Sequence, residues 1–298
     1  MANTDAFSGC HPVVNFVYFA AVIAFTALLD HPVCLGISLV GSLCYAVGLN
    51  GRRAVRFQLK YMLPMFVVTA VLNPAFSHEG ATILAYLPSG NPLTLESVIY
   101  GAASAVRLVA VVSWFSCYSA VMTSDKFIYL FGRVIPALSI VLSMSLRFVP
   151  KFKAQLGLVS GAQKCVGRDA SSGGVVRRVR NGITILSIMV TWALENAIET
   201  ADSMKSRGWG LPGRTAFSIY RFDRRDKAAL AACAILCSAV AGSAAAKLTY
   251  WRFYPTMKGA LPGAAPAAAM AAYLALCLMP VAIDLWEDRK WRASRSAI

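Results

Sequence analysis

Six long apolar runs constrain what this sequence can fold into. They cover residues 12–29, 33–49, 61–76, 97–122, 228–249 and 263–285. They are 16 to 26 residues long, against the roughly 20 mostly apolar residues that a helix needs to cross a bilayer; the third run is short and ends at Asn73-Pro74. Only 14% of the 298 residues are charged, against about 25% in a soluble domain. We therefore expect an all-α membrane protein with about six transmembrane helices.

The basic residues indicate how these helices are oriented, because cytoplasmic loops carry an excess of Lys and Arg. The formal net charge is +15, and 17 of the 29 Lys and Arg lie within residues 123–227. Two further basic groups follow the second apolar run and close the chain. With six spans, these three regions share one side of the membrane. The sequence thus predicts a multi-pass protein of the cell membrane with both termini in the cytosol.

The segment 123–227 differs from an ordinary loop. It opens with the helix start signal TSD, and its middle, RDASSGG, is rich in turn residues. From residue 175 to residue 207, apolar side chains recur every three or four positions, which predicts a helix with one apolar stripe. The stripe consists of Ile183, Leu186, Val190, Leu194, Ile198 and Ala201. We expect membrane helices 1–4 in residues 1–122, a cytosolic domain of long amphipathic helices in 123–227, and C-terminal membrane helices in 228–298.

No catalytic constellation is visible in the sequence. The phosphate-cradling pattern G-x-x-x-x-G-K-[ST] is absent, as are G-x-S-x-G and H-E-x-x-H. The eight cysteines form no C-x-x-C pair, which favours buried side chains over a metal or redox site. The basic residues lack the aromatic interleaving of nucleic-acid binders. We expect no enzyme activity, no cofactor or metal of its own, and no nucleic-acid partner.

Two features beside or within the apolar runs could suggest a site. The tripeptide HPV occurs at residues 11–13 and again at 31–33. About 30 Å of helix separates the two copies, so the repeat favours turns at the membrane interface over a shared metal. Arg107 is the lone charge in the middle of the fourth run. An intramembrane arginine usually faces protein or water, which favours structural pairing and leaves a role in a transport path as the alternative.

Arg207 stands at the predicted end of the long helix, between Ser206 and Gly208. A glycine there can end the helix in the left-handed conformation, and a cation suits the negative end of the helix dipole. Alternatively, Arg207 donates a forked set of hydrogen bonds to a carboxylate on a docking protein. The local pattern favours a helix terminator and leaves the docking interpretation open.

The run from Arg107 to Asp226 resembles the transmembrane (T) component of energy-coupling factor transporters, which import vitamins and metal ions. The similarity lies, in order, in TSDKFIYLFGRVIPALSIVLSMSLRFVP, AQKCVGRD, SMKSRGWGLPGRT and RFDRRD, and more loosely in HPVVNF and NPAFSHEGAT. In that family two cytosolic coupling helices each end in a triplet centred on an arginine, which docks on an ATP-binding-cassette (ABC) ATPase.

The resemblance implies that Ser206, Arg207 and Gly208 form the second docking triplet. The first triplet departs from the family pattern, because the sequence reads Cys165, Val166 and Gly167 there, with Arg168 one place beyond the glycine. Docking at this end could use Arg168, Lys164 or no arginine.

The resemblance also implies a scaffold subunit with several partners. These are two ABC ATPase subunits that bind the ATP, a substrate-binding membrane (S) subunit, and the lipid bilayer. The alternative is the permease subunit of a conventional ABC importer, since ENAIETADSMKSRG faintly resembles the docking loop of that class. A membrane enzyme or transporter that works alone would need intramembrane carboxylates or histidines, which the six runs almost lack.

Overall fold

The computed structural model describes residues 5–76, 80–86, 92–132, 135–212, 220–254, 256–259 and 263–295. The end of the SMKSRGWGLPGRT motif, from residue 213 onward, lies outside the described residues. The described helices, in chain order, are α1 (Pro12–Leu28), α2 (Pro32–Asn50), α3 (Arg52–Phe57), α4 (Leu63–Phe76), α5 (Leu95–Val121), α6 (Ser124–Gly132), α7 (Pro136–Cys165), α8 (Val175–Ser206), α9 (Arg224–Ala245) and α10 (Ala264–Arg295).

The apolar runs form helices in the predicted order. Within the described residues, five helical segments are long and apolar enough to cross a membrane: Pro32–Asn50, Arg52–Phe76, Leu95–Val121, Arg224–Ala245 and Ala264–Ser294. The remaining run forms α1, a shorter apolar helix of 17 residues, which is near the lower limit for a span. The predicted all-α membrane fold is confirmed.

The third span is longer than the apolar run that predicted it. A π-helical turn, Gln58–Met62, joins α3 to α4, so one helical segment of 25 residues extends from Arg52 to Phe76. Arginine and lysine are good helix formers, and the helix therefore extends backward through the basic residues. Pro74 lies inside α4.

The described strands form two short antiparallel hairpins. Strand β1 (Ile83–Tyr86) pairs with β2 (Pro92–Thr94), and β3 (Trp251–Arg252) pairs with β4 (Lys258–Gly259). The chain forms two compact units, one of Met1–Phe127 with Tyr220–Ile298 and the other of Ile128–Ile219. The predicted division into the segments 1–122, 123–227 and 228–298 stays a prediction.

An aromatic cluster forms the centre of the first unit, between α1, α2, α5 and α10. Its largest buried members are Phe7, Tyr18, Phe19, Tyr45, Trp114 and Tyr273. Several of these rings meet edge to face, as Tyr18 and Trp114 do at 6.2 Å between centroids. A Cβ atom on Gly41 of α2 would lie 2.9 Å from the Cβ of Cys277 on α10. Glycine therefore permits the close approach of these two helices, as small residues do in membrane bundles.

Buried polar side chains in this cluster bond one another. The hydroxyl groups of Thr26 and Ser38 lie 2.6 Å apart, and that of Tyr273 lies 3.0 Å from Thr26. The indole N–H of Trp114 donates to the Ser38 oxygen at 2.9 Å. Because lipid offers no hydrogen-bond partners, these internal bonds compensate the polar groups that the fold places in the membrane.

The N-terminal loop, residues 5–11, is tied to several helices of the first unit. The backbone N–H groups of Phe7 and His11 donate to the carboxylates of Asp284 on α10 (3.1 Å) and Asp226 on α9 (3.0 Å). The buried ammonium of Lys126 donates to the carbonyl oxygen of Ser8. Burial lowers the pKa of Lys126. The loop thus holds the beginnings of α6 and α9 and the C-terminal part of α10.

Candidate functional site

The second compact unit is built mainly from α7 and α8, which pack through a small set of side chains. The rings of Phe152 and Trp192 meet edge to face at 5.3 Å. Lys151 donates to the amide oxygen of Asn196, and its ammonium lies 5.5 Å from the centre of the Trp192 ring. The later residue of α7 in these pairs, Phe152, meets the earlier residue of α8, Trp192, so the two helices run in opposite directions.

A structured turn joins α7 to α8. The Asp169 carboxylate accepts hydrogen bonds from the backbone N–H and the hydroxyl of Ser171, both at 2.8 Å. These bonds favour the ionised carboxylate and lower the pKa of Asp169. The Asp169 carbonyl accepts from the Asn181 side chain at 2.9 Å. The turn is therefore anchored to the first part of α8.

The first predicted triplet forms the C-terminal end of α7, which we call the first tip (165–168). The N–H of Gly167 donates to Lys164 at 3.0 Å, and the N–H of Arg168 donates to Gln163 at 2.9 Å. These two bonds define a Schellman motif. Gly167 has φ +79°, in the left-handed region that favours glycine.

The second predicted triplet forms the C-terminal end of α8 with the same geometry, and we call it the second tip (206–209). The N–H of Gly208 donates to Lys205 at 3.0 Å, and the N–H of Trp209 donates to Met204 at 3.0 Å. Gly208 also has φ +79°, and a Cβ there would lie 3.2 Å from Leu211. The sequence expectation that a glycine ends this helix is thus met at Gly208.

The two tips share a backbone and differ in side chains. Val166 and Arg207 occupy the same position in the motif, as do Arg168 and Trp209 in the position after the glycine. All four side chains are exposed, Val166 to 70% and Trp209 to 36%. The first tip therefore presents an apolar group followed by a cation, and the second tip presents the reverse.

Arg207 lines a recess that α7 shares with the end of α8. Two adjoining cavities, about 700 Å³ and 590 Å³, both include Arg207, Arg147, Met144 and Met204 in their linings. Among the residues that the structure describes, neither arginine has a salt bridge or a side-chain hydrogen bond. Two guanidinium groups, each able to donate forked hydrogen bonds, are thus available in one recess.

The two tips are well separated. Arg207 shares its recess with Arg147 of α7, and α7 continues for 18 residues from Arg147 to its end at Cys165. At a rise of 1.5 Å per residue, this corresponds to about 27 Å along the helix. The second unit therefore presents two separate, exposed helix ends.

The apolar stripe predicted on α8 lies on the surface of the second unit. All its members are exposed, including Ile183 (61%), Leu186 (62%) and Ile198 (64%). The buried residues of α8 lie on a different face: Asn181, Ile185 and Met189. Six apolar side chains in a row would be costly in water, so this face is suited to contact lipid or another protein.

The other residues singled out in the sequence have structural contacts in the first unit. Arg107 forms a salt bridge with Asp30, in the connection between α1 and α2. His11 and His31 each cap a helix, because their Nδ1 atoms accept from the N–H groups of Val13 and Val33 at 3.3 Å. No group of three or more His, Cys, Asp or Glu side chains within the described ranges is arranged to hold a metal ion.

Sequence reasoning did not single out Arg147 as a site residue. The available signal was its position in SMSLRFVP, where it is the first basic residue of α7 after an apolar stretch. Which residue of α8 it faces depends on the crossing of two helices that are far apart in the chain, and periodicity carries no information on that.

The fold and these two tips define a multi-pass membrane protein with a separate unit of long, half-apolar helices. The model of the cobalt transport protein family, CbiQ, matches residues 7–217. The chain belongs to this family of membrane transport proteins, and the resemblance to the transmembrane component of energy-coupling factor transporters is confirmed.

Several curated proteins named "Energy-coupling factor transporter transmembrane protein EcfT" are similar to this chain. That of Thermosediminibacter oceani is 26% identical over 205 residues, 64% of this chain and 76% of that protein. That of Staphylococcus aureus is 25% identical over 189 residues, 58% and 69% respectively. That of Lactobacillus helveticus is 31% identical over 103 residues, 34% of this chain and 37% of that protein. The chain thus spans less than two fifths of the length of the last of these.

Proposed function

We propose that this chain is the transmembrane coupling subunit of an energy-coupling factor importer. It transmits the movements of two ABC ATPase subunits to a separate substrate-binding membrane subunit, for uptake of a vitamin or a metal ion. The observation that carries the proposal is the pair of exposed tips with identical hydrogen bonding, about 27 Å apart along α7. Two attachment points with the same backbone geometry suit two ATPase subunits.

The second tip supplies the stronger attachment chemistry. The exposed guanidinium of Arg207 can donate two parallel hydrogen bonds to a carboxylate of an ATPase. The Schellman motif positions it, because the backbone of Ser206, Arg207 and Gly208 is fixed by bonds to the last turn of α8. At the first tip, Cys165, Val166 and Gly167 offer an apolar contact, and Arg168 is the neighbouring cation.

The apolar stripe on α8 is the proposed contact for the substrate-binding subunit. It is continuous over about 20 residues, or about 30 Å of helix, and it is exposed over that length. Substrate recognition belongs to the partner in this arrangement. ATP hydrolysis also belongs to the partners, since this sequence lacks a phosphate-cradling loop. The chain requires no cofactor, and ATP binds to the partner ATPases.

The proposed orientation places both termini and the second unit in the cytosol. The basic residues that follow α2, those of 123–227 and those that close the chain then face the same side. This is the side on which ATP is available to the ATPases.

Co-purification of the tagged full-length chain from its native membrane tests the proposal. We expect two ABC ATPase subunits and one small membrane protein to co-elute, and Arg207→Ala to reduce recovery of an ATPase. The matched control is Arg178→Ala, which removes an exposed arginine from the beginning of α8. Isolation of the wild-type chain without any ATPase, in a detergent that preserves its fold, would refute the proposal.

A further inference from the structure

We propose that Arg147 is a second specificity residue of the docking site at the second tip. It would share one acidic group of the partner with Arg207. This inference rests on the proposed function, because the partner is the ATPase that docks at that tip. It concerns a residue of α7, outside both docking triplets.

The geometry of the recess carries the inference. Arg147 and Arg207 both line each of the two cavities, and neither has an ionic partner among the described residues. Glu199 lines the smaller cavity without forming a salt bridge to either arginine. Two cations that face one cavity repel each other. An anion between them removes that repulsion and satisfies both guanidinium groups.

The other lining residues indicate what kind of anion fits. The larger cavity is flanked by Ile140, Met144, Met204, Leu211 and Pro212, with Trp209 beside them. Apolar side chains around two cations suit a protein segment that carries a carboxylate on an otherwise apolar surface. Such an arrangement, with charged groups surrounded by packed apolar and aromatic residues, is typical of the energetic centre of a protein interface.

Lys151 does not belong to this pair, although it lines the smaller cavity. Its ammonium already donates to Asn196 and lies over the Trp192 ring. Lys151 therefore stabilises the packing of α7 on α8. Its substitution would disturb that packing as well as any docking.

Arginine modification of the wild-type chain tests the inference without a substitution. The probe is phenylglyoxal, with mass spectrometry of each modified arginine, in the chain alone and in complex with the co-purified ATPases. We expect Arg147 and Arg207 to react in the isolated chain and to be protected together in the complex, while Arg178 reacts in both. Protection of Arg207 without Arg147 would overturn the inference and leave the proposed function intact. Protection of both by Mg·ATP, without any ATPase, would instead identify the recess as a nucleotide site.

Substitutions provide the second measurement. Arg147→Ala is expected to weaken ATPase binding by about tenfold or more, as truncation of one member of a buried charge pair does. Arg147→Lys is expected to restore only part of the affinity, because an ammonium lacks the forked geometry. The combined loss in Arg147→Ala/Arg207→Ala should be smaller than the product of the single losses, since both groups share one anion. Full affinity in Arg147→Ala, with Arg207→Ala defective, would overturn the inference alone. Failure of the wild-type chain to bind an ATPase would overturn the proposed function as well.

Discussion

Val166 and Arg207 occupy the same position in two helix ends that have nearly identical backbones. Val166 has φ −86° and ψ 6°, Arg207 has φ −85° and ψ 10°, and the glycine after each has φ +79°. The position that carries a guanidinium group at the second tip therefore carries an isopropyl group at the first. Identical geometry with different chemistry suggests that the two docking contacts differ in strength and in their dependence on charge.

The first prediction compares the two tips by single substitutions. Arg207→Ala should weaken ATPase docking by about tenfold or more, because it strands a carboxylate of the partner. Val166→Ala removes an apolar contact only and should weaken docking less. Arg168→Ala distinguishes two hypotheses for the first tip. A large loss of ATPase affinity would show that Arg168 supplies the docking cation, and no loss would show that this tip docks by apolar packing. Affinity of each ATPase for each variant in detergent is the measurement.

An equal effect of Val166→Ala and Arg207→Ala would contradict the unequal-tip prediction. If Arg207→Ala leaves both the complex and transport unchanged, Arg207 acts only as a helix terminator. That outcome would support the helix-terminator interpretation, which the local sequence favours.

The second prediction concerns the left-handed glycines. Gly167→Ala and Gly208→Ala should each destabilise their tip by about 1–2 kcal/mol, the cost of a left-handed conformation for a residue with a Cβ. Gly161→Ala is the matched control, because Gly161 lies inside α7 and no atom lies within 4 Å of its added Cβ. It should stabilise the helix by about 0.5–1 kcal/mol, because alanine is the better helix former. Hydrogen exchange at the tips is the measurement, and equal behaviour of all three variants would contradict the prediction.

The third prediction concerns pH and the two histidine caps. His11 and His31 accept hydrogen bonds at Nδ1, which requires the unprotonated atom, and burial lowers the pKa of both. The nearby Asp226 carboxylate partly opposes this effect at His11. Because the folded pKa lies below the ordinary value of about 6.5, the stability contributed by each cap is present above that pH. It is lost as the pH falls from there through the folded pKa.

The test uses asparagine, which caps helices without titrating. The His11→Asn/His31→Asn variant should lose less thermal stability than the wild type between pH 7.5 and pH 5. The expected difference in the free energy of unfolding is about 1 kcal/mol for each cap. Other acidic groups titrate in both proteins, so the difference between the two curves is the quantity to compare. Parallel curves would show that these caps do not depend on protonation.

The fourth prediction concerns orientation and uses a natural cysteine. Cys165 is exposed at the first tip, and a membrane-impermeant maleimide should label it only from the cytosolic side. Leu84→Cys, at an exposed position of β1, should be labelled only from outside. Cys165→Ser provides the background from the other cysteines. Labelling of Cys165 from outside would contradict the proposed orientation.

The sequence by itself determined the elements of this protein. The apolar runs predicted the order of the membrane helices, since lipid requires about 20 apolar residues in each span. The glycine after Arg207 predicted the end of α8, because a left-handed residue there depends on local sterics alone. The third helical segment begins before its apolar run, and the sixth continues past the end of its run. Hydropathy does not register the helix-forming basic residues in these extensions.

The tertiary structure alone decided which distant residues meet. Arg107 pairs with Asp30, and Arg147 shares a recess with Arg207, across 77 and 60 positions of the chain respectively. It also decided that the α8 stripe is exposed while Ile185 and Met189 are buried. The physical reason is that periodicity identifies an apolar face without specifying its neighbour. The crossing of α7 and α8, set by contacts such as Phe152 with Trp192, selects which face is covered and which cations come together.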